Sequence, residues 1–172
     1  MKGDRMKIKL SLVVLMYLSG IVGYSAEVPK SEGSAVVKAV VLEKAVWLTS
    51  LSEAKAEAAR RNVPILADFS GSDWCGWCIK LDKEVFSTDV FKKYAAENLV
   101  LLLVDFPRSK PQSDELKKQN NDLSEKYGIQ GFPTILLLDA EGKLLERTSY
   151  LAGGGENYVT HLRKLLKNKR NK

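Results

Sequence analysis

Cys75 and Cys78 are the only cysteines in a chain of 172 residues, and two residues separate them. At that spacing on a helix, the two side chains share one face and lie close enough to bond. Three kinds of chemistry use such a pair: a permanent disulfide, half of a metal site, or a dithiol that repeatedly opens and closes. A closed zinc site needs four ligands, and this pair supplies two. The one histidine, His161, stands in the last predicted helix with no partner motif. It reads as an ordinary helix residue, which also leaves a cysteine hydrolase without a positioned base. A structural disulfide closing so short a loop would constrain the unfolded chain little. The dithiol that opens and closes is therefore the leading reading, with no metal and no cofactor expected.

The position of the pair supports this. "SGSDW" breaks both periodicities as a turn, and Cys75 opens the helix that follows. Unsatisfied N–H groups at a helix start favour a thiolate, lowering its pKa from about 8.5 to between about 3.5 and 7.5. Only the thiolate attacks a disulfide. Cys75 is thus the candidate attacking sulfur. Cys78, one turn deeper, is expected to stay protonated until it resolves the mixed disulfide. A resolving thiol needs a proton acceptor, and Asp68 lies in "ILADF", the apolar strand leading to the turn. Burial there would raise its pKa and suit it to take the Cys78 proton through one water.

The elements that must hold these residues can be read along the chain. Ser50 and Glu53 form a capping box for the helix "SLSEAKAEAARRN", which Asn62 and Pro64 stop. "PILADF" is a short strand. Cys78, Leu81 and Val85 mark the inward face of the next helix, and Ser87 is read as the cap of a further helical piece, "TDVFKKYAAEN". "LVLLLVDF" is continuously apolar and reads as a central strand buried on both faces. The polar segment 107–121 leads into a helix ending at Tyr127–Gly128. "PTILLLD" and "KLLERTSY" form a hairpin, and a glycine run precedes a last helix carrying Val159, Leu162 and Leu166. Strands separated by helices are expected to run parallel. The fold class is α/β, with a central mixed sheet and helices on both faces.

Residues 1–26 are set apart from this domain. Lys2, Arg5, Lys7 and Lys9 precede the apolar run Leu10 to Ala26, the pattern of a secretory signal, with cleavage expected after Ser25 or Ala26. A membrane anchor facing the exported side is the alternative. Residues 27–46 read as a lead segment, polar and then Ala/Val-rich; 47–168 as the domain; 169–172 as a basic tail. Loss of residues 1–26 removes four basic side chains and Asp4, so the net charge of +6 falls to +3. What surplus remains is concentrated at one helix end, so nucleic acid is not expected as a partner.

At this point the sequence resembles the thioredoxin-like family. The pieces "ILADF", "DWCGWC", "LLLVDF", "YGIQGFPTILLLD" and "GKLLERTSYLAGG" occur in the family's order. The likeness extends to exported proteins with a "DFSGSDWCGWC" type of site and to the soluble redox domains of periplasmic thiol:disulfide interchange proteins. It implies an exported, periplasmic, monomeric thiol–disulfide oxidoreductase with a thioredoxin-like fold. Its partners would be protein thiols and disulfides, together with a membrane or soluble redox protein. It also implies that Pro133 is a cis-proline facing the sulfurs, that the Phe132 backbone pairs with an extended substrate, and that Trp74 forms an apolar wall for that substrate. Gly76 and Trp77 stand where thioredoxins usually carry Gly-Pro, a pair that helps set the potential. One extra residue separates Asp68 from Cys75, and "LVLLLVD" lacks the lysine that commonly pairs with the buried aspartate. The Asp68 pKa is therefore expected to sit higher still. The other readings are a non-catalytic binding module and a metal or copper chaperone. Segment 107–121, longer than a minimal thioredoxin requires, is read as a tolerated surface insertion.

Overall fold

The computed structural model describes residues 45–170. The expected signal, most of the lead segment and the last two residues of the tail lie outside that range. Among the described residues, no helix is long and apolar enough to cross a membrane.

Five strands form one mixed sheet. In chain order they are β1 (Trp47–Leu48), β2 (Ile65–Ser70), β3 (Val100–Asp105), β4 (Thr134–Leu138) and β5 (Leu144–Thr148). In space the order is β1-β3-β2-β4-β5. Among the described residues, helices α1 (Leu51–Arg61), α2 (Gly76–Leu81), α3 (Asp89–Asn98), α4 (Asp114–Lys126) and α5 (Gly154–Arg170) accompany them, with a π-helical turn after α2. The middle strand is β2, buried along its whole length, and β3 beside it is paired on both edges and largely buried, the interior strand its apolar run suggested. A two-residue strand, too short to carry a periodic signal, flanks β3 on the outside.

Strand alternation divides the core between the two faces. Leu66, Leu101, Ile135 and Leu137 pack with side chains of α3 and α5 and with Leu81 of α2. Ile65, Ala67, Phe69, Leu102 and Leu136 pack with Ala54 and Ala58 of α1 and Leu123 of α4. Asp68 is two residues from Leu66, so it points to the face covered by α2, α3 and α5. That placement follows from the period of the strand alone.

The direction of β4 departs from the sequence expectation. β2 and β3 are parallel, but β4 is antiparallel to β2, with Thr134 opposite Phe69. The reason lies in residues 127–133. Helix α4 is 13 residues long, and thus about 20 Å. The chain after it, if extended, reaches roughly 23 Å. This return run brings the start of β4 back to the end of the sheet from which β3 left. Gly128, at φ 59°, makes the reversal at the end of α4.

Ser50 caps α1, its oxygen accepting from the Glu53 N–H at 3.4 Å, and left-handed Asn62 ends the helix. The expected cap at Ser87 is displaced by one residue. Ser87 closes a π-helical turn, Asp82–Phe86, by donating its N–H to the Asp82 carbonyl at 2.8 Å. The wider turn lets the consecutive side chains Val85 and Phe86 both enter the core. Thr88 then caps α3.

Candidate active site

The turn 71–75 connects the C-terminal end of β2 to α2. Cys75 is the N-cap of α2, and its sulfur accepts a hydrogen bond from the Cys78 N–H at 3.2 Å. The two cysteines are joined as a disulfide, with Cα atoms 5.2 Å apart. Both are buried. On reduction, the same N–H group and the end of α2 would favour a negative charge on Cys75. Cys78 lies one turn in, among residues that turn towards the core, and has no comparable exposure to the helix terminus. Gly76 is the first residue of α2 and is exposed, with open space where a Cβ would stand.

Asp68 lies on the sheet face under α2. It is buried, and its Oδ1 has no hydrogen-bond partner. Burial pushes its pKa up to about 8, and the negative charges of Asp105 and Asp82 push in the same direction. Among the described residues no cation opposes them: Leu103 and Ile135 stand opposite Asp68 on the neighbouring strands. Its field acts in turn on Tyr158, whose phenol is raised well above its ordinary value, mainly by burial and then by Asp68.

The Phe132–Pro133 peptide bond is cis, and Pro133 is buried. Phe132 meets the ring of Trp74 edge-on at 6.0 Å and stacks on Phe106 at 5.1 Å. The cis turn is thereby joined to the residue before Cys75. Trp74 donates its indole N–H to the Phe106 carbonyl at 2.8 Å, and the Arg108 guanidinium lies over its ring at 3.8 Å. Gly71 is required beneath it, because an added Cβ would lie 2.5 Å from the indole. Trp77 is largely exposed. It packs against Tyr150 at 5.3 Å, with the Lys80 ammonium 5.2 Å from each ring.

Two features were not foreseen from the sequence. The first is the start of segment 107–121, which is not an independent surface insertion. The Asp73 carboxylate accepts from the backbone N–H groups of Arg108, Ser109 and Lys110 at 2.7–3.2 Å. Those bonds hold its pKa below the ordinary carboxylate range. Asp105 likewise accepts from the Ser72 N–H at 2.9 Å and hydroxyl at 2.6 Å. The loop is thus fastened to the active-site turn, and nothing local sets Asp73 apart from an ordinary turn aspartate.

The second is the pair Ser149–Tyr150. Ser149 donates its hydroxyl to the Pro133 carbonyl at 2.6 Å, and Tyr150 donates to Glu84 at 2.6 Å. Neighbouring residues thus brace the cis turn on one side and the helical segment after Cys78 on the other. His161 is engaged elsewhere, with Nε2 2.9 Å from the Thr148 hydroxyl and its ring 6.0 Å from that of Tyr158. Among the described residues, no group of three or more His, Cys, Asp or Glu is placed to hold a metal ion.

A family model described as thioredoxin-like matches residues 46–140. The chain is 38% identical over 118 residues to the disulfide bond reductase DsbH of Chlamydia pneumoniae, a match covering 69% of this chain and 71% of that protein. It is 34% identical over 112 residues to the thioredoxin-related protein DsbJ of the same organism, covering 65% of this chain and 31% of that longer protein. The solved structure of a DsbH oxidoreductase superposes with a TM-score of 0.68 at 36% identity, covering 72% of this chain and 85% of that one.

Proposed function

The chain belongs to the thioredoxin-like family, and from that premise we propose that it is an exported thiol–disulfide oxidoreductase of the DsbH type that reduces disulfides in partner proteins. The reduced enzyme attacks a substrate disulfide through the Cys75 thiolate, releasing one substrate thiol and leaving a mixed disulfide. Cys78 then attacks Cys75, closes the enzyme disulfide and releases the second thiol. Two electrons and two protons pass to the substrate in each cycle. A dithiol protein on the exported side must return them.

The observation that carries this reading is the asymmetry of the two sulfurs. Cys75 sits at the helix cap and accepts the Cys78 N–H, while Cys78 lies above a sheet face on which a carboxyl group is buried without a partner. That carboxyl is suited to the second step. Moving a proton from a thiol of pKa about 8.5 to a carboxylate at its ordinary 3.8 costs roughly 6 kcal/mol. With Asp68 at about 8, the same transfer is within roughly 1 kcal/mol of balance. Asp68 is accordingly assigned as the proton acceptor for Cys78. Trp74, Phe132 and the cis Pro133 form the surface against which a substrate strand lies, and Gly76 and Trp77 tune the couple from between the sulfurs.

Export rests on the basic and apolar pattern of residues 1–26. N-terminal sequencing of the protein recovered from the producing cell tests it, with a start at Ala26 or Glu27 expected. The cysteine roles are tested by trapping. C78S should accumulate a mixed disulfide with a model protein substrate, and C75S should not. Equal trapping by both variants would refute the assignment.

A further inference from the structure

Two aromatic walls flank the disulfide, and each carries a cation. On the α2 side, Lys80 lies beside Trp77 and Tyr150 and has an acidic neighbour, Glu84, at 3.9 Å. On the loop side, Arg108 lies over Trp74 and is exposed. Among the described residues, its guanidinium has neither an ion pair nor a hydrogen bond. The nearest candidate, Asp73, is committed to the backbone N–H groups of residues 108–110. Those bonds hold it ionised yet direct its oxygens at the main chain. The same contacts fix the loop from which Arg108 projects. The indole fixes the head of the side chain, so much of its rotamer freedom is already lost before anything binds. What remains at the rim of the site is a placed guanidinium with unspent donors, a fork that matches a carboxylate.

We propose that Arg108 is a specificity-determining residue that recognises a carboxylate on the substrate within about two residues of its reacting cysteine. The inference rests on the thiol–disulfide reading above, since it concerns the substrates of that site. The favoured class is a peptide disulfide flanked by Asp or Glu. Recognition is short-ranged and directional. The charges of Arg108 and Lys110 are balanced by those of Asp73 and Asp105, so no strong field extends into solvent to steer acidic chains from a distance. An exposed pair of this kind gives a preference of roughly two- to fivefold.

The test uses the pre-reduced protein as the sole reductant in single-turnover reactions. Three disulfide-linked peptides are compared, identical except for Glu, Gln or Lys next to the cysteine. Each reaction converts the Cys75/Cys78 dithiol to its disulfide and the peptide disulfide to two thiols. Rates are divided by those with dithiothreitol, which removes the intrinsic effect of the flanking charge on the leaving thiol. The wild type should favour Glu over Gln roughly two- to fivefold. The ratio should fall to about one in R108M, whose stem still covers Trp74, and R108E should favour Lys. Because each ratio is taken within one protein, a general loss of activity in a variant cancels. A wild-type ratio of one, or a Glu preference surviving in R108M or R108E, overturns the proposal. If the wild type reduces the Gln peptide well without preference, only the role of Arg108 falls; if it reduces none of the three, the oxidoreductase reading falls with it.

Discussion

Replacing Asp68 with Asn should remove a specific dependence of stability on pH. In the oxidised protein the Asp68 carboxyl has a pKa of about 8, against an ordinary 3.8. The native state therefore keeps a proton that the unfolded chain loses above about pH 4. Stability must fall as pH rises from about 4 to about 8, because the unfolded state alone gains by ionising. Each pH unit in that window costs about 1.4 kcal/mol. Integrated over the window, the penalty is roughly 2 kcal/mol at pH 5 and roughly 4 kcal/mol at pH 7. D68N has no such proton to keep. Its amide brings its own cost of burial, but that cost does not change with pH. The difference in unfolding free energy, D68N minus wild type, should therefore rise by roughly 2–3 kcal/mol between pH 5 and pH 7. Urea unfolding of both oxidised proteins at several pH values measures it, and taking the difference cancels every other titrating group. A difference that stays flat would mean that Asp68 is ionised in the fold, and the argument for it as a proton acceptor matched to a thiol would fail.

Other expectations follow from the same geometry. G71A should force Trp74 off its position, since the new methyl would meet the indole at 2.5 Å; a loss of about 1–3 kcal/mol and altered tryptophan fluorescence would show it. S149A removes the hydroxyl that holds the Pro133 carbonyl. It should cost about 1 kcal/mol and raise KM for a protein disulfide more than it lowers kcat. D68N should also slow release of the mixed disulfide at neutral pH while leaving its formation nearly unchanged, read by quenched-flow trapping. Equal slowing of both steps would place Asp68 outside the second step.

Local signals in the sequence were read well where the cause is itself local. Ser50 and Asn62 bound α1 because a cap and a left-handed residue act within one turn. Cys75 was placed at the start of α2 because the glycine and serines before it break every period. The burial of Asp68 followed from an apolar strand, and its face followed from its spacing to Leu66. What the sequence concealed depends on distance. The antiparallel course of β4 is decided by the length of chain after α4, not by any residue in β4. The π-helical turn exists because Val85 and Phe86 both find space in a core assembled from α3 and α5. Asp73 looks like a turn aspartate, and its grip on residues 108–110 appears only when β2 and β3 lie side by side. Ser149 and Tyr150 read as the end of a strand, and nothing nearby reveals that they reach Pro133 and Glu84.

The central claim is that the protein makes one sulfur anionic and keeps the other neutral. Alkylation of the fully reduced protein with iodoacetamide, followed by peptide mass spectrometry across pH, tests it at both sulfurs at once. Cys75 should react with an apparent pKa well below the ordinary value of about 8.5, and Cys78 should stay unmodified until well above it. Two cysteines titrating together near about 8.5 would contradict the account.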